Sequence, residues 1–300
     1  MGREKEGMKK LLKVLVPFCL LAGLLVMPGA PVGAIQNGTA DNNGHPFVCV
    51  VVFYKYHSTP DPVYGNYEPL WRTSGELISS RVVLTAGHGT IGTDFATVWF
   101  SNYIEPNKQP PNQDVKKYPY YGGQDGYTGI PDTPAFYKSV PTPGLPGFDY
   151  HDVGVVVLDQ AVPASVVSEY GQLPAVGQVD SLKMMAPVDL VGYGVTSQTR
   201  GGGVSPYLSW DWNRQRNFAP GAFIASKDLL ASEFMKLTAN PGNGKGGTTF
   251  GDSGGPILLG GTSTILAINS FVNNSNCDGV TYAQRIDLPD ILAWINGFID

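Results

Sequence analysis

The chain has 300 residues, 42 % of them hydrophobic and 11 % aromatic, which is ample for a buried core and within the range of one all-β domain or two half-barrels. It carries 20 basic and 25 acidic residues with no basic run to neutralise phosphates, so nucleic acid is excluded as an expected partner. Three cysteines are too few for a disulfide framework.

Residues 1–34 have the plan of a secretory signal peptide. "MGREKEGMKK" is a charged n-region, "LLKVLVPFCLLAGLLVM" an apolar h-region, and "PGAPVGA" ends in the small residues that signal peptidase accepts. The alternative is an uncleaved membrane anchor, against which Lys13 interrupts the apolar run and the remainder is short for a spanning helix. Removal of the signal leaves 15 basic against 23 acidic residues, a net charge of −8. Of the cysteines it leaves Cys49 and Cys277, which are either bridged to each other or reduced. A secreted, extracellular protein is expected, with no membrane contact once the signal is gone.

Downstream, strand-length runs recur between Gly, Pro, Asn and Ser punctuation: "PFVCVVVFY", "GELISSRVVLTA", "FATVWFS", "VGVVVLD", "PVDLVGYGV", "GGPILLG", "TSTILAINSFV" and "VTYAQRI". This is the pattern of an antiparallel sandwich or barrel, not of βαβ units. Residues 103–148, rich in Pro, Gly and Tyr, interrupt the rhythm and read as a long surface excursion within one domain spanning 35–300. "TRGGGVSP" reads as a second flexible loop. Helical periodicity is confined to "SKDLLASEFMKL" (226–237) and the last stretch, "DLPDILAWINGFID", where Ile291, Leu292, Ile295 and Phe298 share a face.

"TTFGDSGGPILL" (248–259) raises the chemical question, because Ser253 is either an ordinary turn serine or a nucleophile. The segment also satisfies G-x-S-x-G, the nucleophile elbow of α/β-hydrolases, in which the base follows the serine. All four histidines, His45, His57, His88 and His151, precede Ser253, and the elbow reading fails. The opposite order, His then Asp then Ser, is available. "VVLTAGHGT" puts His88 just after one apolar strand and "HDVGVVVLD" puts Asp152 at the start of another. Such a trio can do acyl transfer: an imidazole takes the hydroxyl proton, and a buried carboxylate holds its tautomer and stabilises the imidazolium. Asp149 and His151 are the rivals of Asp152 for the third position.

"LTAGHGT", "HDVGVVVLD" and "GDSGGP" resemble, in order, the three signature blocks of trypsin- and chymotrypsin-like serine peptidases of the secreted, bacterial type. "VGYGVT" is similar to the family's Gly-aromatic-Gly strand, "INSFV" to the stretch lining its cleft, and "LPDILAWI" to its C-terminal helix. The resemblance implies an all-β fold of two antiparallel six-stranded barrels with a C-terminal helix and a catalytic cleft between the barrels. It implies Ser253 as nucleophile, His88 as general base and acid, Asp152 as orienting carboxylate, and the amides of Gly251 and Ser253 as the oxyanion hole. Ser270 would support Asp152. Asp252 would pair with a freed N-terminus at Ile35, where "IQNG" follows the predicted cleavage after Ala34. The substrate would be a protein or peptide and the enzyme a monomer without cofactor or metal, although the acidic loop 125–132 could hold Ca²⁺ loosely.

The chain departs from the family where cysteines are usual. Gly89 and Thr73 stand at one such pair, so the loop around His88 is expected to be held by packing alone. Thr249 stands where the usual mate of Cys277 would be. The substrate pocket falls on Gly247, Thr248, Phe250, Phe271 and Val272. Gly247 stands where a trypsin-like pocket carries an acid, and Val272 where a glycine keeps the pocket open, so small or medium apolar side chains are the expected fit; Asp278 could invert that preference. Two alternatives to a peptidase are a catalytically silent member of the same fold that binds a partner, and a β-rich adhesin with accidental motifs.

Overall fold

The computed structural model describes residues 35, 38–62, 64–104, 122, 125–140, 148–194, 215–225, 232–239, 245–272, 277 and 279–299. All of them belong to one compact unit, Gly33–Asp300. Among the described residues no helix is long and apolar enough to cross a membrane. The signal-peptide stretch, the "TRGGGVSP" loop and Asp278 lie outside the described residues.

The first barrel closes from six antiparallel strands: β2 (Val48–Asp61), β3 (Gly65–Leu77), β4 (Val82–Thr85), β5 (Phe95–Trp99), β6 (Tyr127–Asp132) and β9 (Gly154–Leu158), in the order β2-β3-β4-β9-β6-β5. Residues Val48–Tyr54 of β2 are all buried, seven in a row. Both faces of this strand are therefore covered, and it belongs to one apolar cluster with Ile286, Ile291 and Ile295 of the C-terminal segment. An uninterrupted apolar run is what such a strand needs. Strand β6 corrects the sequence expectation for 103–148. Tyr127–Asp132 carries little apolar pattern, yet it pairs with β5 through Val98↔Tyr127 and with β9 through Asp132↔Val155, and so completes the barrel. The same stretch contributes β7 (Lys138–Val140), which forms a two-stranded sheet with β8 (Phe148–Tyr150).

The second barrel comprises β10 (Pro187–Gly192), β11 (Asn217–Ala225), β12 (Phe234–Ala239), β13 (Pro256–Leu259), β14 (Ile265–Val272) and β15 (Gly279–Arg285). The order β11-β10-β13-β14-β15-β12 is closed by a β11–β12 pairing, and the short β1 (Thr39–Ala40) adds to β11. Of the helix expected over 226–237, residues 226–231 lie outside the described residues, and strand β12 overturns the expectation for the remainder. Phe234, Met235 and Leu237 are buried and six residues pair with β15, so closure of the barrel overrides a helical pattern that is only a weak prior. The terminal helix forms as expected: Pro289–Asn296 buries Ile291, Leu292 and Ile295, with Pro at its first turn, and Phe298 packs on the same core.

Arg216, fully buried, links the barrels to the N-terminal segment. Its Nε donates to Asp41 Oδ2 at 2.8 Å, Nη1 to the carbonyl oxygens of Val48 and Phe100, and Nη2 to Asn43 Oδ1 at 2.6 Å. Its donors are therefore shared among three segments, the condition under which a buried guanidinium is tolerated.

Candidate active site

The register of β4 against β9 builds the first half of the site. Thr85 lies opposite Gly154, so the residues just beyond β4 and just before β9 converge. His88 follows β4 on the single helical turn α1 (Gly87–Thr90), and Asp152 precedes β9. Gly87 is required at this junction, because a Cβ there would lie 2.7 Å from the carbonyl oxygen of Val153. Asp152 is fully buried, and its carboxylate accepts three hydrogen bonds: Oδ1 takes the His88 amide at 2.7 Å, and Oδ2 takes His88 Nδ1 at 2.8 Å and Ser270 Oγ at 2.5 Å, while its own amide donates to Gln284 Oε1 at 2.9 Å.

Burial pushes the Asp152 carboxyl up, but the charge and hydrogen bonds of His88, with Ser270, outweigh it and hold the group below its ordinary value. An ionised carboxylate has no proton to donate, so Nδ1 carries the imidazole proton and Nε2 is left as the acceptor. Burial alone would lower the His88 pKa. The facing Asp152 charge and hydrogen bond, followed by the Asp149 charge, raise it above the usual histidine value.

The second half of the site is the turn between Thr249 and Pro256. Gly251 has φ +93° and Gly254 φ +75°, both in the region that favours glycine. A Cβ on Gly254 would lie 2.5 Å from the Ala86 amide nitrogen and 2.6 Å from the Ser74 carbonyl oxygen, so this turn is pressed against the strand end that carries His88. Ser74 stitches the two halves together. Its amide donates to the Ser253 carbonyl and its hydroxyl to the Gly251 carbonyl, each at 2.9 Å, while the hydroxyl accepts from the Tyr193 amide at 3.0 Å. Among the described residues, the amides of Gly251 and Ser253 donate to no protein acceptor.

His88 and Ser253 line one cavity of about 410 Å³, but no hydrogen bond joins Ser253 Oγ to His88 Nε2. Such bonds are commonly long before substrate arrives. Of the residues expected in the substrate pocket, Thr248, Phe250, Phe271 and Val272 line this cavity. Gly247 is buried and outside the lining. Asp149 and Asn269, not expected there, do line it. His151, the other rival of Asp152, is turned toward Glu233, with Nδ1 2.9 Å from the carboxylate.

Asp252 is fully buried, and burial pushes it up to about 6 against the opposing hydrogen bonds of Thr249 and Gly194 and the charge of Arg72. Its carboxylate accepts from the Gly194 amide at 2.7 Å, the Thr249 amide at 2.8 Å and Thr249 Oγ1 at 3.0 Å. A Cβ on Gly192 or Gly194 would overlap this carboxylate, which gives the Gly-Tyr-Gly stretch its physical reason. Ile35 is not among the partners of Asp252; it is buried in the apolar cluster of the second barrel with Val179, Leu190 and Met235.

No disulfide joins Cys49 to Cys277. The loop around His88 is held by more than packing: Trp71 Nε1 donates to the Gly89 carbonyl at 2.8 Å, and a Cβ on Gly89 would lie 2.9 Å from Thr73 Cγ2. Among the described residues, the grouping whose ligand atoms lie close enough to share a metal ion is His88, Asp149 and Asp152, within 4.8 Å of one another. Two of its three members are already committed to each other through Nδ1. Ser74 and Gln284 were missed in the sequence, because each lies among other polar residues of its strand, in "RTSGE" and "TYAQR".

A search of curated protein sequences finds no match. Among solved structures, the fold is similar to HL collagenase (14 % identity, 89 % of this chain and 98 % of that one, TM-score 0.60). It is also similar to human heparin binding protein (16 %, 87 % and 94 %, TM-score 0.56) and to GrC (15 %, 87 % and 97 %, TM-score 0.55). A family model described as Trypsin matches residues 63–295, a span that takes in five strands of the first barrel, the whole second barrel and all three signature blocks. With two closed six-stranded barrels and the His88–Asp152 pair facing the Ser253 turn, the chain belongs to the trypsin family, of serine-protease type.

Proposed function

We propose that the chain is a secreted serine endopeptidase that cleaves peptide bonds through an acyl-enzyme intermediate, with His88, Asp152 and Ser253 as its triad. The observation that carries this reading is the hydrogen-bonded line Ser270–Asp152–His88 ending at the cavity that Ser253 also lines. His88 Nε2 takes the Ser253 Oγ proton as the oxygen bonds to the substrate carbonyl carbon, and Asp152 stabilises the imidazolium that results. The carbonyl oxygen becomes an oxyanion facing the amides of Gly251 and Ser253, whose hydrogens are uncommitted. Collapse of the tetrahedral intermediate breaks the C–N bond, and the imidazolium returns its proton to the leaving amine. Water repeats the sequence in reverse and frees Ser253.

Gly247 and Val272 favour a small or medium apolar side chain at the scissile residue. The reading includes removal of residues 1–34 as a signal, release of Ile35, and a monomer without cofactor or metal. Ile35 after cleavage would gain an ammonium group, which is the feature needed for it to reach Asp252.

A second reading, a catalytically silent binding member of the fold, is favoured by one observation: Ser253 Oγ and His88 Nε2 are not hydrogen-bonded. Human heparin binding protein, by its name a binder, has a similar fold. Against the same ligand here stands the acidic balance of this chain, with a net charge of −5. A fluorophosphonate separates the two readings. Labelling of purified protein at one site, lost in Ser253→Ala, supports the peptidase; absence of labelling in protein shown by mass to begin at Ile35 supports the silent binder.

A further inference from the structure

Asp149 has no role in the triad, yet it faces it. It sits on β8 opposite Ser139 of β7, and the Tyr137 hydroxyl donates to its carboxylate. Burial, followed by the neighbouring carboxylates, pushes the Tyr137 pKa up, so the hydroxyl keeps its proton and holds Asp149 in place. The carboxylate lies within 4.8 Å of both a His88 ring nitrogen and the Asp152 carboxylate. Two carboxylates thus face one imidazole, Asp152 with three hydrogen-bond donors on it and Asp149 with the Tyr137 hydroxyl. Among the described residues no Lys or Arg is ion-paired with Asp149.

The rest of the cavity lining is neutral: Thr248, Thr249, Asn269, Ser270 and Val272, with Phe250 and Phe271 as its aromatic surface. Phe271 is stacked on Tyr282, with ring centroids 4.7 Å apart and planes 8° apart, and meets Phe234 edge-on at 5.3 Å. A fixed aromatic face and a fixed carboxylate on one cavity are the two elements that receive an alkyl-ammonium or guanidinium group, the face covering the stem and the carboxylate the charge. An acidic substrate side chain would be repelled by the Asp149 charge instead.

We propose that Asp149 is a specificity-determining residue that binds a Lys or Arg side chain of the peptide, within two residues of the bond cleaved. The proposal rests on the peptidase reading above for its substrate. It is separate from the apolar preference at the scissile residue, which concerns Gly247 and Val272.

The test uses matched peptides carrying Lys, norleucine or Glu at each position within two residues of the scissile bond. Hydrolysis is followed with the wild type, Asp149→Asn and Asp149→Lys. Binding is followed by fluorescence anisotropy on Ser253→Ala, alone and combined with Asp149→Asn. At one position the wild type should favour Lys over norleucine by at least about tenfold in kcat/KM, as expected for a close charge pair in a cleft. Asp149→Asn should bring that ratio toward one, and Asp149→Lys should favour Glu. Hydrolysis with equal rates for Lys and norleucine at every position, or a Lys preference that survives both substitutions, overturns the proposal and leaves the peptidase reading standing. If the wild type cleaves no peptide, the peptidase reading falls. The proposal then stands only on a Lys preference in binding to Ser253→Ala that disappears with Asp149→Asn; equal or absent binding sinks both.

Discussion

The Ser74 hydroxyl donates to the Gly251 carbonyl across 2.9 Å, and through that contact a strand of the first barrel fixes a turn of the second. The same hydroxyl accepts from the Tyr193 amide, so it is a three-way joint under the proposed oxyanion hole. In Ser74→Ala the Gly251 carbonyl and the Tyr193 amide lose a buried partner, at a cost of about 1–3 kcal/mol. We expect a lower melting temperature, a reduced kcat and little change in KM, because the peptide that presents the Gly251 amide loses its support. A normal kcat in the folded variant would show that the joint is structural only.

Gly254 permits no side chain. Gly254→Ala combines a left-handed backbone with overlap against Ala86 and Ser74, and should destabilise by about 3 kcal/mol or more. Denaturant unfolding beside a Gly261→Ala control, where the added Cβ meets open space but the backbone is also left-handed, separates the steric part from the backbone part.

The raised His88 pKa sets the acid limb of activity. The imidazole accepts the Ser253 proton only when neutral, so kcat/KM should fall as pH drops through a value above the usual histidine figure of about 6.5. Asp149→Asn removes one of the charges that raise it, and the limb should move to lower pH. A pH profile of a neutral peptide in both proteins reads this directly; a limb that stays put would mean that the Asp149 charge is not felt at Nε2.

Glu76 is fully buried with neither carboxyl oxygen hydrogen-bonded, and burial pushes its pKa well above the carboxylate range. The folded state therefore binds a proton that the unfolded state releases. Its contribution to stability is full below about pH 4.3, the unfolded value, and is lost as pH rises toward the folded one. Asp252, pushed up to about 6, acts in the same direction. Melting temperatures from pH 4.5 to 8 should decline in the wild type and decline less in Glu76→Leu, the difference isolating Glu76.

Much of this architecture was legible. Runs such as "PFVCVVVFY" and "GGPILLG" became strands because buried β-rich segments need continuous apolar residues, and His88 and Ser253 came to line one cavity with Asp152 hydrogen-bonded behind His88. What stayed hidden depended on partners distant in sequence. Strand β6 has no apolar run, because its place is secured by backbone pairing on both sides, to β5 and β9. Strand β12 carries a helical period that barrel closure overrides. Asp149 was legible only as a rival to Asp152: three residues apart in sequence, the two carboxylates differ in burial and in hydrogen-bond partners, and neither property is written in the local pattern. Asp252 accepts hydrogen bonds from Gly194 and Thr249, a contact between the segment after β10 and the nucleophile turn that no local motif encodes.

The Trp71–Gly89 hydrogen bond and the Thr73–Gly89 packing have a consequence for where such a protein can work. The wall behind the proposed base is closed by an indole and a threonine methyl, and Cys49 and Cys277 do not bridge. Thiol reductants therefore have no bond to cut beside His88. The wall behind His88 keeps its contacts in reducing and in oxidising solution alike.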